Sequence, residues 1–218
     1  MSEIEGRRPL KVRSAGFAKS IAQWLSNKNI TPNQISILSV VFAALSAICL
    51  FALPYANGIS LWLLPIAAAL FIQCRLLCNL FDGMVAVEGG KGTAAGELYN
   101  DIPDRIADPL ILIAAGYAVT VVDWAAILGW AAGLLAVLTA YVRTLSVSIG
   151  APANFAGPMA KQHRMALLTA TCIVTAIEPL LWAQTLTMLV TLIIIIAGCI
   201  ITITNRTITA YRYLEENA

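Results

Sequence analysis

The sequence is short of charge. Only 12% of its 218 residues are Asp, Glu, Lys or Arg, against about a quarter in a typical soluble domain. Histidine occurs once, at His163, between a glutamine and an arginine. A lone imidazole there reads as an interface group rather than a catalytic base. Residues 1–30 hold six basic residues and no continuous apolar core, so no cleavable signal peptide is expected. The five cysteines, at 49, 74, 78, 172 and 199, all fall in stretches expected to be helical. Cys74 and Cys78 lie one turn apart, but two thiols fall short of the four ligands of a closed zinc site. They read as small packing residues. A net charge of +2 says little about partners, and no nucleic-acid partner is expected.

What is abundant is apolar side chain. The chain is 59% hydrophobic and its mean hydropathy is +0.80. A membrane-spanning helix needs roughly 20 mostly apolar residues. Candidate spans of that kind fall at 34–54, 60–82, 98–119, 122–146, 163–183 and 184–204. The fifth is interrupted by Glu178-Pro179. The expected fold is therefore an all-α integral membrane protein of six transmembrane helices. Lys and Arg orient it, because cytoplasmic connections are enriched in them. They lie in the N-terminal arm, between 75 and 105, between 143 and 164, and at 206 and 212. The connections at 55–59, 120–121 and 178–184 hold none. Six spans with both termini cytoplasmic satisfy that pattern.

Ahead of the first span, Phe17, Ile21, Trp24 and Leu25 share one helical face, with Lys19 and Lys28 elsewhere. That is the pattern of an amphipathic helix lying in the membrane interface. Thr31-Pro32 then reads as an N-cap followed by proline at the first helical position. Three parts follow: residues 1–30, a cytoplasmic arm and amphipathic helix; 31–210, a six-helix membrane domain; and 211–218, a cytoplasmic tail. Trp24, Trp62, Trp124, Trp130 and Trp182 mostly sit near span ends, as an aromatic belt would. Hydrophilic groups concentrate in two loops, Glu88 to Ala95 and Ser146 to Arg164, and in the helix ends beside them.

The first loop and its flanks hold Asp82, Glu88, Glu97, Asp101, Asp104 and Asp108, half of the chain's 12 acidic residues. Arg75, Asn79, Asp82 and Ala86 recur at i, i+4, i+7 and i+11, and so line one helical face. Asn100, Asp104 and Asp108 line a face of the next helix, flanked by Glu97 and Asp101. Across a glycine-rich turn these oxygens suit a hard cation such as Mg²⁺, Mn²⁺ or Ca²⁺. The plainer reading has the acids solvated at the membrane edge, with Arg105 pairing Asp101 or Asp108.

Residues 82 to 104 resemble the signature of the CDP-alcohol phosphotransferase family, D-x2-D-G-x2-A-R-x8-G-x3-D-x3-D. Asp82-Gly83, Ala86, Gly96 and Asp104 match in register. Asn79 and Asn100 stand where the family has its first and third aspartates, and Val87 where it has arginine. The resemblance implies a membrane transferase of phospholipid synthesis, acting with Mg²⁺ or Mn²⁺ on a CDP-linked lipid and a polar alcohol, and dimeric. It implies that Asp82 and Asp104 ligate metal, that Asp104 is the general base, and that Asn79, Asn100 and Asp108 complete a modified site. Gly83, Gly96, Ala86 and Asn79 would face the nucleotide, and Arg75 would supply part of the missing positive charge at the diphosphate. Arg143, Lys161, Arg164 and Arg105 would hold the acceptor, or serve only as positive-inside anchors. Two other classes stay open: an ion-coupled transporter, because intramembrane acids often mark ion paths, and a catalytically silent CDP-lipid-binding relative.

Overall fold

In the computed structural model, residues 16–181 and 186–217 are described. Residues 1–15 of the expected arm, Trp182 and the turn expected near 183 lie outside that set. Among the described residues all regular structure is helical: α1 (Gly16–Asn27), α2 (Pro32–Ala52), α3 (Ser60–Val87), α4 (Gly96–Ala118), α5 (Ala125–Ser148), α6 (Lys161–Leu181) and α7 (Thr187–Glu216). A 3-10 turn, Leu53–Tyr55, follows α2.

Local signals explain several boundaries. Thr31 caps α2 in a capping box: its Oγ1 accepts from the Gln34 N–H at 3.3 Å, and its own N–H donates to Gln34 Oε1 at 3.0 Å. Pro32 opens the helix, where its missing N–H is no loss. The helices outrun the apolar windows. α3 continues to Val87 and α7 to Glu216, through the residues assigned to the tail, because backbone hydrogen bonding does not end where hydropathy falls.

Packing neighbours run α2, α3, α6, α7, α5, α4 and back to α2, a closed ring of six helices. α1 lies outside it against α3, with Ala18 and Ala22 buried and Phe17, Ile21 and Trp24 exposed. The ring's interior is filled by Leu50, Ile72, Ile111, Leu112, Leu168, Leu192 and Ile195. Its outer surface exposes Ile48, Leu63, Leu70, Ile127, Leu134, Ile193 and Ile200, an apolar skin suited to lipid rather than water. Among the described residues four helical stretches are long and apolar enough to cross a membrane: Pro32–Tyr55, Ser60–Val87, Ala125–Ser148 and Thr187–Glu216. α4 and α6, of 23 and 21 residues, carry buried Asp104, Asp108 and Arg164.

Small residues set the closest helix crossing. A Cβ on Gly116 of α4 would meet Gly129 Cα at 2.7 Å, and one on Gly129 would meet Gly116 Cα at 2.9 Å. Backbone is stacked on backbone there, with nothing flexible to move aside. We expect Gly129→Ala to cost about 1–3 kcal/mol of stability, the usual range for overpacking. The check is a lower melting temperature in detergent than for Gly96→Ala, whose added Cβ meets nothing closer than Thr93 Oγ1 at 3.7 Å.

Candidate active site at one end of the ring

Alternating chain direction brings the starts of α2, α4 and α6 and the C-terminal ends of α3 and α5 to one end of the ring. The polar residues of those segments meet there. Arg75, Asn79 and Asp82 come from one face of α3, Asp104 and Asp108 from one face of α4, and Lys161 and Arg164 from the first turn of α6.

Arg75 is the centre of the cluster and is 0% exposed. Its Nη2 donates to Asp104 Oδ1 at 2.8 Å and lies 2.7 Å from Asp108 Oδ1, a charge contact rather than a hydrogen bond. Asp104 Oδ1 also accepts from Asn79 Nδ2 at 2.6 Å, and its Oδ2 accepts from Lys161 Nζ. Asp108 Oδ2 accepts from Arg164 Nη2 at 2.9 Å. Arg164 Nη1 reaches Met159 O at 2.7 Å and Thr139 Oγ1 at 3.2 Å. Asp82 stands beside this network: its Oδ2 accepts from Ser36 Oγ at 2.7 Å and its Oδ1 from the Gly83 N–H.

Near it is a second, more open group. Asp101 accepts from Arg105 at 2.7 Å and from Arg143 at 3.2 Å, and the Arg143 guanidinium lies 5.3 Å over the Phe155 ring. Arg206 holds the loop before α6 in place, donating to Thr139 O at 2.7 Å and Ala156 O at 2.9 Å. Gly157, at φ +125°, lets that loop lie on Thr202 of α7.

Several expected site residues therefore converge: Arg75, Asn79, Asp104, Asp108, Lys161 and Arg164 form one cluster joined by hydrogen bonds and ion pairs, with Asp82 alongside. Others stand apart. Asn100 is exposed on the first turn of α4, and Gly96 begins that helix. Gly83 and Ala86 are half-buried along α3. Arg105 pairs with Asp101, the first of the two partners its spacing allowed. Val87 is exposed at the end of α3, and nothing in the structure explains it. Ser36, Thr139, Met159 O and Arg206 carried no signal of a site role in the sequence.

The donor set bears on metal. Three carboxylates (Asp82, Asp104, Asp108) meet three cations (Arg75, Lys161, Arg164), so the cluster is neutral as built. Among the described residues no three His, Cys, Asp or Glu side chains are grouped to hold a metal ion, Cys74 and Cys78 included. These residues do not fit a divalent-metal site.

No family model matches the chain, and no curated protein matches it. Solved structures do. The crystal structure of the Mycobacterium tuberculosis phosphatidylinositol phosphate synthase with CDP-DAG bound aligns at a TM-score of 0.72 and 19% identity, covering 90% of this chain and 94% of that one. The same enzyme in complex with manganese and citrate aligns at 0.74 and 20%, covering 89% and 88%. The fold is shared. The likeness covers 90% of this chain, so its helices are arranged as in that synthase.

Breaking a buried ion pair from one side leaves an uncompensated charge, at a cost of about 3–5 kcal/mol. Asp108→Ala should therefore unfold earlier on heating in detergent. Asp101→Ala, which removes only an open pair, should shift the transition much less, because such pairs contribute about 0–1 kcal/mol.

Proposed function

We propose that this protein is a membrane transferase. It moves a phosphatidyl or similar phospho-alcohol group from a CDP-linked lipid to a hydroxyl acceptor and releases CMP. The observation that carries this reading is the match, over 90% of the chain, to a synthase structure that contains CDP-DAG. The Asp82-Gly83 and Asp104 pattern of the sequence supports it. The reading includes six spans with both termini and the site on the cytoplasmic side of the cell membrane, α1 in the interface, and a homodimer. It divides the chain at 30 and 210, as the sequence does. The acceptor alcohol sets the product.

In the reaction, the acceptor hydroxyl oxygen bonds to the phosphorus next to the lipid. The bond from that phosphorus to the bridging diphosphate oxygen breaks, and CMP leaves with that oxygen. The acceptor's proton passes to a carboxylate, for which Asp104 is the proposed base. Asp82, beside it, is the second carboxylate of the reacting centre. Gly83, Ala86, Asn79 and Gly96 are proposed to lie along the nucleotide. Arg143 and Arg105 are the proposed acceptor contacts, because their side chains remain 29% and 25% exposed while paired to Asp101. The manganese in the related structure belongs to that enzyme, and no step here runs through a metal.

The deciding measurement is CMP release from CDP-diacylglycerol by purified protein against a panel of alcohols. Acceptor-dependent release that falls at least about 100-fold in Asp104→Asn, the scale of general-base catalysis, supports the reading. Binding of CDP-diacylglycerol with no release from any acceptor would replace it with a silent binding protein, a reading favoured by the donors already on both Asp104 oxygens. For the acceptor side, Arg143→Gln should raise the acceptor KM about tenfold with kcat nearly unchanged, the loss of one charge-assisted hydrogen bond.

A further inference from the structure

We infer that this site takes its CDP-linked substrate without a divalent metal, with Lys161 supplying the positive charge at the diphosphate and Arg75 holding Asp104 behind it. The substrate half rests on the transferase reading above; the metal half rests on the cluster alone.

The ligand chemistry comes first. A small divalent cation takes about six oxygen ligands, and at a phosphate site one or two carboxylates, free to face it, anchor it beside waters and substrate phosphates. Here two positions of the acidic stripe are amides. Asn79 turns its NH₂ toward Asp104, and Asn100 is exposed and carries no charge. Asp104 and Asp108 already have a cation on each oxygen. A metal ion entering between them would sit against an ammonium and two guanidinium groups.

Those cations differ in how they can respond. Arg75 has no exposed surface and touches two carboxylates on successive turns of α4, so it has nowhere to withdraw. Its Nε and Nη1 find no hydrogen-bond partner within the cluster. A buried guanidinium with idle donors calls for an oxygen acceptor, the opposite of a second cation. Arg164 is fixed by Asp108, Thr139 and Met159 O. Lys161 is the free-ended one: its side chain is 27% exposed and its single anchor is Asp104 Oδ2.

A diphosphate arriving from solvent therefore meets the Lys161 ammonium first. An ammonium is a compact point charge on a flexible stem, suited to following a phosphate through a reaction. Its move from Asp104 to the diphosphate would free Asp104 Oδ2 to accept the hydroxyl proton. Arg75 and Asn79 would keep the carboxylate aimed by its other oxygen. Substrate charge and base exposure are coupled through one side chain.

The test uses the full chain in detergent and two readouts. Mn²⁺ binding is followed by the loss of the free-ion electron paramagnetic resonance signal on titration with protein. CDP-diacylglycerol binding is measured by calorimetry in EDTA and in Mn²⁺. We expect no stoichiometric Mn²⁺ binding, and equal lipid binding in the two buffers. Lys161→Met should weaken lipid binding about tenfold and Lys161→Arg should restore most of it, as expected for one charged contact. One tightly held Mn²⁺ per wild-type chain, or lipid binding abolished by EDTA, overturns the inference. If Lys161→Met binds as well as wild type, the role given to Lys161 is wrong. No lipid binding in either buffer, with no Mn²⁺ held, overturns the substrate reading while upholding a metal-free cluster.

Discussion

Arg75 is a fully buried cation in an apolar ring, and that fact constrains the rest of this end of the molecule. Leaving such a charge unpaired would cost several kcal/mol, so carboxylates must meet it. They can come only from a helix whose polar face turns inward. α4 provides them on successive turns, as Asp104 and Asp108. α3 and α4 touch little directly; α2 lies against both. The arginine reaches across the interval between them. Each carboxylate then needs more than one cation shares, which brings Lys161 and Arg164 in from α6. Arg164 in turn fixes Thr139 of α5 and the Met159 carbonyl. One buried charge thus orders four helices.

The rest of the fold makes that arrangement affordable. The ring's buried hydrophobic positions are mostly Leu, Ile, Met and Ala, and its crossing at Gly116 and Gly129 draws α4 and α5 together. The Arg75 cluster sits at one end because the chain reverses at every connection. Starts of even-numbered helices and ends of odd-numbered ones therefore share a side. An outer surface of Ile and Leu leaves no competing place for the charges to go.

Periodicity made much of this legible. The spacing of Arg75, Asn79 and Asp82, and of Asp104 and Asp108, already put them on single faces, because helix geometry is local. The Thr31-Pro32 start was readable for the same reason, and it appears as a capping box. Partner choice was not legible. Lys161 lies 57 residues from Asp104, and Arg164 56 from Asp108. Only the rotation of α6 about its axis decides whether they face the cluster or the surface. Spacing offered Arg105 two acids; Asp101 takes it because Asp108 is enclosed with Arg75 and Arg164. Asn100 shares a stripe with Asp104, yet it sits on the exposed first turn of α4.

The departures from the family signature make physical sense together. Two amides in place of two carboxylates remove two negative charges from the stripe. With Asp at both positions, four signature acids and Asp108 would have stood against the same three cations, an excess of negative charge that favours a metal ion. With Asn at both, the signature retains Asp82 and Asp104, and Asp108 lies one turn further on. Arg75, Lys161 and Arg164 balance those three. Adding a divalent ion to this set makes it strongly positive in a low-dielectric interior, where unbalanced charge is most costly. An anion would instead meet a part-exposed ammonium and a guanidinium with unused donors. Asn79 and Arg75 act together, both donating to the same Asp104 oxygen.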